Sequence, residues 1–139
     1  VVKKKLDFVT NSSSTSFCGW GTTVYKFNEL PEKVKENIYS GYVKYIKEEY
    51  QNTEIVSYEE FQSNPKRYDW VETLLDLLDD THLSHNYTCE LDIYIGITPT
   101  NKDIQDMTIN QIKELAKKEL SELGFDSGVY FIEVGWYDG

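Results

Sequence analysis

The chain has 139 residues, 40% apolar and 14% aromatic, with 24 acidic against 14 basic side chains and a formal net charge of −10. That is too apolar and too aromatic for a disordered polymer, and the charge has the wrong sign for binding nucleic acid or anionic membrane directly. No run approaches the ~18 apolar residues of a membrane span, and no signal-peptide pattern precedes the first strand.

The expectation is one domain over residues 1–139, cytoplasmic, with its two cysteines, Cys18 and Cys89, reduced. The chain opens on Val1 rather than Met, as a processed or trimmed chain would. Charge is uneven along it. The first fifty residues carry eight lysines against six acids, and the rest six basic residues against eighteen acids.

In chain order, Lys3 to Thr10 alternates as a strand and Asn11 to Ser16 is a polar turn. Phe17 to Phe27 is β-rich again, so the start predicts an N-terminal hairpin, weakened where Gly19 and Gly21 flank Trp20. A helix follows with Pro31 in its first turn and Val34, Ile38, Tyr42, Tyr45 and Ile46 at helical spacing. A second helical piece starts at the capping box Ser57-x-x-Glu60. A third has Asn64 as N-cap, Pro65 at N1, and Val71, Leu74, Leu75 and Leu78 on one face.

Tyr87 to Thr98 predicts a single strand, with Cys89, Leu91, Ile93, Ile95 and Ile97 inward and Glu90, Asp92, Tyr94 and Thr98 outward. Thr108-x-x-Gln111 caps a last helix that ends before Gly124, and Val129 to Tyr137 is the final strand. The order β-β-α-α-α-β-α-β predicts an α+β fold, a small, mainly antiparallel four-stranded sheet with helices packed on one face. The last β-α-β could set its two strands parallel.

The opening Asp7-Phe8-Val9-Thr10-Asn11-Ser12-Ser13-Ser14-Thr15-Ser16-Phe17 resembles an FVTNSSSSSF-like segment that begins many uncharacterised bacterial and phage proteins. The resemblance covers the first seventeen residues, with Thr15 interrupting the serine run, and implies a microbial or phage source without an activity. Physically the run is a solvated hairpin turn, with an anion-binding nest as the alternative. A phosphate loop would need glycines and a lysine before a helix, which are missing here.

His82-x-x-His85-x-x-x-Cys89 gathers imidazole and thiol ligands, and Cys18 would be a fourth metal ligand, although the spacing fits no zinc-finger pattern. The other reading is two loop histidines beside an inward cysteine. A Cys/His nucleophile pair from the same residues has no oxyanion-hole loop or helix N-terminus to support it. Glu90, Asp92 and Glu133 would share the exposed sheet face if the last two long strands were neighbours. Tyr39, Tyr42, Tyr45 and Tyr50 are more tyrosines than one helix needs for its core, and suggest an interface with a partner or a second copy of the chain.

The sequence therefore predicts a small acidic, non-enzymatic binding protein without a cofactor. Its partner would be a basic protein surface, such as the nucleic-acid channel that a phage-like inhibitor would occupy. The alternatives are a small ligand-, nucleotide- or metal-binding enzyme built on the Ser-rich turn with His82 and His85, and a structural or assembly protein of a virus or mobile element.

Overall fold

The computed structural model describes residues 17–51, 53–87, 92–126 and 128–134. The strand expected over 3–10, the serine-rich turn, Cys89, Glu90, Leu91 and Trp136 lie outside them.

The described elements are β1 (Phe17–Val24), α1 (Glu32–Glu49), α2 (Tyr58–Ser63), α3 (Trp70–Asp76), β2 (Ser84–Tyr87), β3 (Ile93–Ile97), α4 (Ile109–Leu123) and β4 (Tyr130–Val134). The four strands form one antiparallel sheet in the order β2-β3-β1-β4. The class is α+β, as the alternation of the sequence predicts.

Of the strand expected over Tyr87 to Thr98, Ile93–Ile97 forms β3, while Tyr87 ends a separate strand, β2, that pairs antiparallel with it, Ser84 opposite Gly96 and Tyr87 opposite Ile93. β2, Ser-His-Asn-Tyr, lacks the apolar alternation that marks a half-buried strand, so pattern alone misses it. β3 and β4 run in the same sense, as the βαβ reading allows, but β1 lies between them and is antiparallel to both.

The register decides which face is buried. Trp20, Thr22 and Val24 stand opposite Ile97, Ile95 and Ile93, and paired residues project to one side. On that side all three isoleucines are fully buried, in one core with Val34 and Ile38 of α1, Phe61 of α2, Leu74 and Leu75 of α3, and Ala116 and Leu120 of α4. Each of the Val, Ile, Leu and Phe side chains among them contributes about 1.5–3 kcal/mol by leaving water. The helices thus cover one face of the sheet. Phe27 links the layers, its ring 5.7 Å from Phe61 and 5.6 Å from Trp70.

The caps expected at Ser57 and Thr108 form, whereas Asn64 makes no side-chain cap hydrogen bond. Ser57 accepts the Glu60 N–H, and Thr108 with Gln111 forms the full reciprocal box. α4 ends at Gly124 in the left-handed region (φ 107°), and Asn37 of α1 donates to the carbonyl of Leu123 at 2.8 Å. The third predicted helix is broken. Pro65–Tyr68 is a tight 3-10 turn, and Asp69 takes a left-handed conformation (φ 52°, ψ 49°) before α3 begins at Trp70. Asparagine and aspartate tolerate that region better than other non-glycine residues, so the kink is accessible here.

Candidate functional site

Gly41 sits in the interior of α1, where glycine costs about 1 kcal/mol relative to alanine. Its reason is packing: a Cβ there would lie 2.8 Å from the Thr73 methyl of α3. The two helices touch at this point. Beside it they leave a groove of about 900 Å³, lined also by Thr53, Glu54 and Val56 after α1 and by Arg67 and Tyr68 before α3.

One wall is tyrosine. Tyr42 is buried at the base, while Tyr45 and Tyr50 are about half exposed and pack edge to face with centroids 5.6 Å apart. Tyr68 closes the far side, its ring 5.6 Å from Tyr42. The four tyrosines singled out from the sequence therefore divide. Tyr42, Tyr45 and Tyr50 line the groove, whereas Tyr39 packs behind it against Tyr58 and Phe61. Tyr39 and Tyr42 also hold the end of the loop in place. The Tyr39 hydroxyl donates to the Val56 carbonyl at 2.7 Å, and the Val56 N–H donates to the Tyr42 hydroxyl at 3.3 Å.

Carboxylates share the lining. Asp69, Glu72, Asp76 and Asp79 recur at helical spacing along α3 and the turn after it, and Glu48 of α1 with Glu54 brings the number to six, beside Lys44 and Arg67. Like charges four apart on a helix, as Glu72 and Asp76 are, destabilise it by about 0.2–0.5 kcal/mol. Asp69 stands at the N-cap of α3, though its carboxylate makes no cap hydrogen bond. The negative field reaches the tyrosines. The Tyr45 phenol is held above the usual tyrosine range first by its hydrogen bond with Tyr50, then by the charges of Tyr50, Glu49 and Asp69. Tyr68 is raised by burial and by Glu60, whose carboxylate accepts its hydroxyl at 3.2 Å.

Of the acidic sheet face expected from Glu90, Asp92 and Glu133, Glu90 lies outside the described residues, and Asp92 and Glu133 are not brought together. β3 and β4 are not neighbours, and Glu133 is in register with Cys18, on the side that bears the isoleucines. Asp92 precedes Ile93 and alternates to the opposite side, with Tyr94. The one-residue difference in register separates the two charges.

Of the proposed histidine and cysteine ligands, Cys89 lies outside the described residues, and His82, His85 and Cys18 do not converge. His82 lies before β2, and Glu119 of α4 binds it twice, accepting its backbone N–H at 2.9 Å and facing Nδ1 at 2.8 Å. Its Nε2 lies 3.9 Å from Asp103. Both ring nitrogens thus face carboxylates, not a hydroxyl or thiol that a base would activate. His85 is exposed on β2, in the row of Ile95 and Thr22, while Cys18 is buried four residues further along β1, about 13 Å away along the strand. Among the described residues no group of three or more His, Cys, Asp or Glu side chains is placed to hold a metal ion.

Sequence reasoning missed the groove although its signals were there. A glycine inside a helix marked the close crossing, and acids spaced three, four and three apart marked one outward face opposite Leu74 and Leu75. No family model, no curated protein and no solved structure matches this chain.

Proposed function

We propose that this is a non-enzymatic binding protein whose groove between α1 and α3 receives a basic segment of a partner protein. The carrying observation is the pairing of an exposed tyrosine wall with six carboxylates against two basic residues in one concave surface. Tyrosine buries area at little entropic loss and keeps a wet polar end. The carboxylates attract a cationic partner over roughly a Debye length and discriminate against acidic surfaces. A nucleic-acid-binding channel of a larger protein is a surface of the required sign, and this body seated on it would exclude the nucleic acid.

The placement of the acids supports the reading from another side. Glu72 and Asp76, four apart on α3, repel each other, so pairing within the helix does not account for the stripe. Asp76→Lys tests this directly. It turns the repulsion between Glu72 and Asp76 into attraction at the same helical spacing, removing one penalty and adding a gain of similar size, so stability should rise by about 0.4–1 kcal/mol. Affinity for a labelled lysine- and arginine-rich peptide should fall about tenfold, and binding by the unaltered protein should weaken steeply with salt. Glu114→Lys on α4 makes the same change of net charge away from the groove and should leave affinity nearly unchanged. Equal losses in both variants, or no binding at low salt, would overturn the proposal.

A further inference from the structure

Resting on that reading, we infer that the side chain anchoring the partner in the groove is arginine, its guanidinium stacked on the Tyr45–Tyr50 pair and facing the carboxylates of Asp69 and Glu72. Three observations carry this. The Tyr45 and Tyr50 rings stand at 66° to each other and are about half exposed, forming an aromatic corner open to the groove. Asp69 and Glu72 line the same groove as Tyr45 and Tyr50, so aromatic faces and carboxylates are offered on one concave surface. The groove also already brings a guanidinium to an aromatic ring, since Arg67 lies 6.0 Å over the Tyr68 ring.

The chemistry separates arginine from lysine. A planar guanidinium covers an aromatic face and still presents its N–H fork to a carboxylate, whereas an ammonium is a compact, strongly hydrated point charge. A corner of two rings beside carboxylates rewards the plane. A groove of carboxylates alone would treat the two cations more evenly.

The test uses three short peptides that are identical except at their cationic positions, which carry arginine, lysine or neutral citrulline. Binding to the whole protein is followed by fluorescence anisotropy. The arginine peptide should bind about tenfold more tightly than the lysine peptide, and citrulline should lose most of the affinity. In Tyr45→Leu and Tyr50→Leu, both at exposed positions, the arginine peptide should fall to the lysine level while the lysine peptide changes little. Equal affinity for arginine and lysine peptides, still weakened by Asp76→Lys, would overturn the arginine anchor and leave the basic-segment reading standing. Failure of every peptide to bind would remove both.

Discussion

Gly41 and Thr73 face each other where α1 crosses α3, and 2.8 Å separates the Thr73 methyl from the point a Cβ on Gly41 would occupy. This contact sets the helix spacing from which the groove opens. Gly41→Ala gains helix propensity of about 1 kcal/mol but drives a methyl into a short, β-branched side chain that has little freedom to move. The variant is therefore expected to be destabilised on balance. Adding Thr73→Ser removes the methyl and keeps the hydroxyl that donates to the Asp69 carbonyl at 3.1 Å. Chemical denaturation of the two single variants and the double should show positive coupling, with the double more stable than Gly41→Ala. Additive effects would show that the contact does not set the spacing.

The pairing of Gly21 with Gly96 makes a second steric prediction. A Cβ on Gly21 would overlap the Ile95 carbonyl oxygen, and one on Gly96 would come within 2.6 Å of the Trp20 carbonyl oxygen. Both obstacles are backbone in the two central strands, so neither can move aside locally. Gly21→Ala should lose more than about 4 kcal/mol and fail to accumulate as folded protein. Gly128→Ala, with no atom within 4 Å of the added carbon, should be close to neutral and serves as the control. A normal melting curve for Gly21→Ala would refute the register of β1 against β3.

Glu119 and His82 join α4 to the segment entering β2. Glu119→Ala leaves the His82 backbone N–H without its acceptor in a half-buried place, at about 1–3 kcal/mol. His82→Ala keeps that backbone bond and loses the side-chain one, so its effect should be the smaller of the two. Denaturation measurements giving the reverse order would mean that the imidazole, not the backbone clamp, carries the contact.

Tyr58 predicts a loss of stability in alkali. Burial first, then its hydrogen bond to Glu32 Oε1 at 2.7 Å, raises the phenol well above the ordinary tyrosine value of 10.0. A group whose folded pKa exceeds its unfolded one stabilises fully below the unfolded value, and that contribution is lost as pH rises through the folded one. Stability should thus decline from about pH 10 upward, and Tyr58→Phe should flatten the decline. If wild type and Tyr58→Phe lose stability in parallel, another group is responsible. In a spectrophotometric titration, the Tyr58 phenol should ionise only above the ordinary tyrosine range.

What the sequence determined was local. Capping residues at Ser57 and Thr108, Gly124 after α4, and the alternation of Ile93, Ile95 and Ile97 fixed helix ends and the buried face of β3, because each depends on neighbours a few residues away. The α+β class followed from those elements in order. Tertiary structure decided the rest. Strand order put β1 between β3 and β4 and set Glu133 and Asp92 on opposite sides, a relation that no single segment encodes. It also divided the tyrosines of α1, sending Tyr39 behind the loop and Tyr45 to the groove, since a helix with apolar residues around much of its circumference meets several neighbours at once. The groove itself exists because a glycine and a threonine far apart in the chain came into contact, and long-range packing of that kind is fixed by the shapes of both surfaces together.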